Sequence, residues 1–185
     1  MEDRNIGAAP AGYSWNAWKK LARCIRFTPL LAALLFTAPS GADTLQGRVV
    51  AVTDGDTVKV LDASNTQWKI RLMGIDAPEK KQAFGARSKS NLSDLIFGKT
   101  VVVEYSKKDK YGRTVGKILV NGVDANLEQI KAGMAWHYKK YAKEQAIEDR
   151  ETYAQAEEQA RAGQRGLWSE AEPVPPWDWR QSKKR

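Results

Sequence analysis

The chain holds one cysteine and one histidine in 185 residues. Cys24 stands in the N-terminal segment, so the remainder has no thiol for a disulfide, a zinc-thiolate site or a cysteine nucleophile. The lone histidine, His137, excludes multi-histidine metal centres, and a Ser-His-Asp triad would have to use it. Its setting between Trp136 and Tyr138 suits packing or surface exposure better than catalysis. Long apolar runs are also lacking. The stretch 27–36 is interrupted by Pro29 and falls short of the ~20 residues that span a bilayer. Acidic residues are the minority, 22 Asp and Glu against 30 Lys and Arg, for a formal net charge of +8. That surplus serves solubility and leans toward a polyanionic partner.

The apolar stretch follows Lys19, Lys20, Arg23 and Arg26 and precedes Ser40-Gly41-Ala42. Positive flank, short apolar run and small residues in that order predict an export signal over 1–42, cleaved after Ala42, with an uncleaved anchor as the alternative. The expectation is an exported protein, periplasmic or secreted, with no stable membrane association after cleavage. Cys24 is no lipoprotein site, because Arg23 precedes it and the apolar run follows. Residues 43–170 are expected to form the folded domain and 171–185 a Pro/Trp-rich basic tail, its indoles packed back on the domain or the whole an unfolded arm. Nothing demands an oligomer, and a monomer is expected.

From Leu45 onward the pattern is β. Segments 45–53, 56–61 and 67–75 are β-branched or alternating and are joined by the turn residues Asp54-Gly55 and Ala63-Ser64-Asn65-Thr66. A helix is predicted over 82–97, stopped by Gly98, then strands over 100–105 and 114–120 with the polar loop 106–113 between them. Asp124 reads as the N-cap of a short helix through Lys131, and the Glu/Gln/Ala/Arg-rich stretch 144–162 as a longer one ending at Gly163 and Gly166. Five short strands with a helix after the third give the element order of an OB-fold: an α+β chain with a five-stranded β-barrel and about three helices.

Two clusters carry chemistry. In Asp54-Gly55-Asp56-Thr57, Asp54 is the turn-maker, while Asp56 shares its strand face with Val58 and Val60 and so stands at the rim of the barrel. A carboxylate held there needs a cation. Asp76 and Glu79 flank Pro78, which fixes the backbone as it leaves the third strand. Two aspartates with backbone carbonyls and water make an all-oxygen set suited to Ca2+, and Glu79 can hold or deprotonate a water. Arg71 lies on the strand of Asp76 but at opposite parity, so either the strand bulges near Gly74 or the two approach from different sides. The loop Lys107-Lys108-Asp109-Lys110-Tyr111-Gly112-Arg113 supplies a second arginine. Two arginine forks on one phosphate would offset the charge of a pentacoordinate phosphorus.

Asp54-Gly55-Asp56-Thr57, Arg71, Asp76-Ala77-Pro78-Glu79 and Asp109-Lys110-Tyr111-Gly112-Arg113, in that order and spacing, resemble the thermonuclease (staphylococcal nuclease-like) family over roughly residues 45–170. The resemblance implies a Ca2+-dependent hydrolase of DNA and RNA that leaves 3′-phosphorylated products. It casts Asp56, Asp76 and the Ala77 carbonyl as metal ligands, and Glu79 as the residue that orients the attacking water. Arg71 and Arg113 become the phosphate-binding arginines, and Lys110 and Tyr111 hold the terminal phosphate of a bound nucleotide. Ala77 departs from the threonine common at its position, a change without consequence if only the carbonyl ligates. Tyr138 is the base-stacking choice, with Tyr141 competing. The rival reading is a catalytically inactive OB-fold module that binds nucleic acid, which would be expected to lose the carboxylates or arginines. A purely structural calcium site would leave the two arginines unexplained.

Overall fold

Each barrel strand turns alternate apolar residues inward, and the elements follow from that. A computed structural model describes residues 43–184; the export signal expected over 1–42 lies outside them. Strand β1 (Asp43–Asp54) contributes Leu45, Val49 and Val52, β2 (Thr57–Asp62) Val58 and Val60, and β3 (Gln67–Leu72) Ile70 and Leu72. Val49 and Val52 are an odd number of residues apart yet both buried, because register shifts between Val49 and Ala51, and again toward Asp54, bulge the strand. β5 (Thr100–Lys108) adds Val101 and Val103, and β6 (Thr114–Val120) adds Ile118 and Val120.

The strands run β3-β2-β1-β5-β6 in antiparallel pairs, and a parallel pairing of β3 with β6 closes the ring. This is the five-stranded OB-fold barrel of an α+β protein, as the element order predicts. Closure sets Ile70 against Thr114 and Arg71 against Val115, so the end of β3 and the start of β6 share one rim.

The third strand is shorter than expected. β3 ends at Leu72, Gly74 takes φ +75°, and β4 (Ile75–Asp76) leaves to pair with β8 (Trp136–His137). Only a residue without a Cβ adopts that φ freely. The break at Met73-Gly74 lets Arg71 and Asp76 meet despite opposite parity.

Helix α1 (Gly85–Ile96) starts three residues later than the predicted 82, because Phe84 is left-handed at φ 63° and Gln82 is held in a turn by its N–H to Glu79 O (2.8 Å). Short β7 (Val123–Asp124) precedes α2 (Ala125–Lys131), and Asp124 caps α2 as expected, accepting from the N–H groups of Asn126 and Leu127. Helix α3 (Ile147–Ala162) begins after 144, since Gln145 and Ala146 are extended and 3-10 turns occupy Lys139–Glu144. Beyond the three predicted helices, the tail forms a fourth, α4 (Pro176–Ser182), with proline in its first turn. Trp177 packs against Trp136, beside Trp168 and Leu167, in a small cluster apart from the barrel core. Among the described residues no helix is long and apolar enough to cross a membrane.

Candidate active site

The β1–β2 turn places the first carboxylate. Asp54 Oδ1 accepts from the Asp56 N–H (3.2 Å), the turn-making role expected of it. Burial, and then the charge of Asp56, push Asp54 up to about 6. The turn is seated on α1 and α2: Gln129 Nε2 donates to Gly55 O (2.8 Å) and to Ser88 O (3.1 Å). A Cβ on Gly55 would overlap the Ser88 hydroxyl and come within 2.8 Å of the Ala77 methyl, so glycine is what allows the close approach.

Asp56 and Asp76, both buried, converge. Arg71 Nη2 lies 3.2 Å from Asp56 Oδ2 and 2.9 Å from Asp76 Oδ1, and Arg71 Nη1 donates to Leu72 O (2.9 Å). The Ala77 N–H donates to Asp56 Oδ2 (2.8 Å), which sets that peptide beside both aspartates. Burial pushes the Asp76 carboxyl above its usual range, opposed by the hydrogen bond from Arg180 and the charge of Arg71.

Glu79 stands at the edge of the cluster, its N–H donating to Gln82 Oε1 (3.1 Å). Its carboxylate is turned to Arg180 of α4: Nη1 donates to Glu79 Oε1 (2.8 Å) and Nη2 to Asp76 Oδ2 (2.7 Å). Burial works against the Arg180 cation, but its bonds to Asp76 and Glu79 outweigh burial and raise its pKa.

Arg113 reaches the site through Thr57. Its Nη1 lies 3.5 Å from Thr57 Oγ1, and that hydroxyl donates to Asp56 Oδ1 (3.1 Å). Asp109 holds the arginine in place, accepting from the Arg113 N–H (3.0 Å), Arg113 Nε (2.7 Å) and the Tyr111 N–H (2.9 Å). Lys110 and Tyr111 lie on the outer loop, away from Asp56, Asp76 and Glu79; Tyr111 is 71% exposed, with Lys110 Nζ 5.1 Å from its ring centre and Arg113 Cζ 5.5 Å.

β8 brings Tyr138 alongside. Its N–H donates to Gly74 O (2.8 Å), and Trp136 is level with Asp76. Burial and the Asp76 charge raise the Tyr138 pKa. One ring face is stacked on Trp177 (5.4 Å, 14°) and its edge meets Tyr141 (5.1 Å, 71°). Tyr141 is 44% exposed, near Lys107 and Lys140. His137 is buried, with Nε2 3.0 Å from Gln145 Oε1 and its own N–H donating to Glu157 Oε1 (3.0 Å), the packing role its setting suggests.

Asp56, Arg71, Asp76, Ala77, Glu79 and Arg113 are thus gathered at one rim, Tyr138 beside them, and Lys110 and Tyr111 outside. Asp109 and Arg180 carry contacts that their sequence contexts, a charged loop and a basic tail, did not single out. Among the described residues no three His, Cys, Asp or Glu side chains form a complete ligand set. A hard dication would draw on Asp56, Asp76, a backbone carbonyl and water. The residues fit one: two buried carboxylates converge on a single positively charged nitrogen, and every donor is oxygen.

A family model described as staphylococcal nuclease homologue matches residues 69–170. The chain is 41% identical over 159 residues to an uncharacterized endonuclease of Escherichia coli O157:H7, covering 85% of this chain and 99% of that one. It is 42% identical over 164 residues to an uncharacterized endonuclease of Haemophilus influenzae, 88% of each chain. With the micrococcal nuclease of Shigella flexneri it shares 37% identity over 175 residues, 90% of this chain and 97% of the relative. An OB-fold barrel, a match over most of that barrel's second half and its helices, and relatives similar along nearly their full length place this chain in the staphylococcal nuclease homologue family.

Proposed function

We propose that the chain is an exported, Ca2+-dependent nuclease that hydrolyses phosphodiester bonds of DNA and RNA, works as a monomer and leaves 3′-phosphates. Membership of a nuclease family and relatives named endonuclease and micrococcal nuclease support the coarse reading. The observation that carries it is the meeting of Asp56, Asp76 and Arg71 within 3.2 Å, with Glu79 and Arg113 on either side. An inactive binding module would have no use for a buried carboxylate pair whose burial must be offset by cations.

Asp56, Asp76 and the Ala77 carbonyl would hold the ion. When bound, Ca2+ supplies Lewis-acid polarisation of a phosphate oxygen. Arg71 and Arg113 donate to the other phosphate oxygens and offset the charge that builds as a fifth oxygen approaches phosphorus. The Glu79 carboxylate orients a water for in-line attack and accepts its proton. The new bond is water oxygen to phosphorus; the bond that breaks is phosphorus to the 5′ oxygen, which takes a proton from solvent as it leaves, so the phosphate stays on the 3′ side. Tyr138 stacks a base, and Lys110 and Tyr111 meet a terminal phosphate; such contacts tolerate many sequences and favour single strands.

The test is cleavage of denatured DNA by the protein 43–185. A calcium-selective chelator should abolish it and added Ca2+ restore it, with product 5′ ends accepting kinase label directly. Full rate restored by Mg2+ under the chelator would overturn the calcium reading, and binding without cleavage in Ca2+ would leave the inactive module standing.

A further inference from the structure

The tail is tied down over the site at three points, each of a different kind. Gln82, next to the Glu79 turn, donates from Nε2 to Val174 O (2.6 Å). Trp177 lies flat on Tyr138 and edge-on to Trp136 (5.6 Å, 71°). Arg180 spans Asp76 and Glu79, with Nη1 also 3.3 Å from Asp76 Oδ1. Between Arg71 and Arg180, both Asp76 oxygens are taken, and one oxygen of Glu79 as well.

These are the parts that the proposed reaction needs open: the ligand face of Asp76, the water-holding face of Glu79 and the stacking face of Tyr138. A guanidinium and a dication cannot occupy the same carboxylate face, so Arg180 must leave Asp76 and Arg71 must turn from the two aspartates toward the phosphate. The segment itself is small. α4 has seven residues and no side-chain N-cap, too short to persist alone, and only Pro176 in it is buried. Its hold at Glu79 joins side chains 40% and 41% exposed, where solvent screens the pair; its hold at Asp76 meets a carboxylate 2% exposed and is the strong one.

Resting on the metal-centre reading above, we propose that Arg180 is the chain's own competitor for the cation site, and that α4 must lift away for the ion and a nucleotide to bind. A competent state populated only in part raises the apparent dissociation constant by the inverse of its fraction, so Arg180 sets the Ca2+ concentration at which the site fills. Lifting also opens one side of the 310 Å3 pocket that Trp177 and Gln181 line with Tyr138, Lys139, Glu157 and Arg161, and frees the Tyr138 ring face to stack a base.

Ca2+ binding by calorimetry, without nucleic acid, tests this on the full chain with circular dichroism verifying the fold. Arg180→Gln should bind Ca2+ at least about ten-fold more tightly than the parent, while Lys183→Gln, which removes the same charge from the same helix end, should shift it by about two-fold or less. In the parent, Ca2+ should change tryptophan emission as Trp177 leaves Tyr138, and Trp177→Phe should lose most of that change. Equal or weaker Ca2+ binding by folded Arg180→Gln, or equal gains from both charge removals, would overturn the proposal. If neither parent nor Arg180→Gln binds Ca2+ at millimolar concentration, the metal-centre reading itself falls and takes this one with it.

Discussion

Asp56 makes three contacts at once: Oδ1 accepts from Thr57, and Oδ2 accepts from the Ala77 N–H and faces Arg71. It therefore joins the first turn, the chain leaving β4 and, through Thr57, the loop of Arg113. Glu79 is different, held by its main chain while its carboxylate is free to change partner. That difference predicts a separable effect. Glu79→Gln should lower turnover on denatured DNA by about 10²–10⁴-fold with the melting temperature little changed; near-parent turnover would remove Glu79 from the reaction. At this scale the sequence was most readable. Asp56, Arg71, Asp76, Glu79 and Arg113 sit in short motifs whose neighbours, Gly55 and Pro78, betray turns. Arg180 was not readable, because its partner Asp76 lies 104 positions away and arginine in a basic tail ordinarily means solvated charge.

Helix α2 is the element on which the site turns rest. Asn126 Nδ2 donates to Met73 O (3.0 Å) at the break after β3, and Gln129 holds Gly55 O at the β1–β2 turn. Asp124 starts that helix and also accepts from Tyr153 OH (2.7 Å) of α3; burial raises its own pKa against these bonds. Asp124→Ala removes the cap and leaves the buried phenol without its acceptor, so about 2–3 kcal/mol of stability should be lost, read from the denaturant midpoint at constant slope. The cap was legible from Asp124 followed by a helix-forming run. β4 and β8 were not, since two-residue strands have no period to detect. The broken third strand was one of the two alternatives that the opposite parity of Arg71 and Asp76 left open, and the φ of +75° at Gly74 is one that few other residues adopt.

Across the whole molecule, acid should act first through the region where α3 meets β8. Burial lowers the His137 pKa below its ordinary 6.5, against the Gln145 bond and the Glu157 charge, which raise it. The imidazole is therefore neutral in the fold, and the unfolded chain takes up the extra proton. Stability contributed by the neutral ring is complete above pH 6.5 and declines as pH falls below it toward the lower folded value. Thermal midpoints of the parent should fall more steeply just below pH 6.5 than those of His137→Gln; parallel profiles would show the ring to be silent. The barrel's closure has a consequence for folding as well. Hairpins β1–β2, β2–β3 and β5–β6 form between neighbours in the chain, but Arg71 and Arg113 come to one rim only when the parallel β3–β6 pairing is made. Like the still longer-range β1–β5 pairing, it joins residues far apart in the chain, and such pairings are the steps that contact order makes slow. A nascent or refolding chain can thus hold most of its strands and still lack the arginine pair of the proposed reaction, so strand formation and assembly of the site are separate events in time.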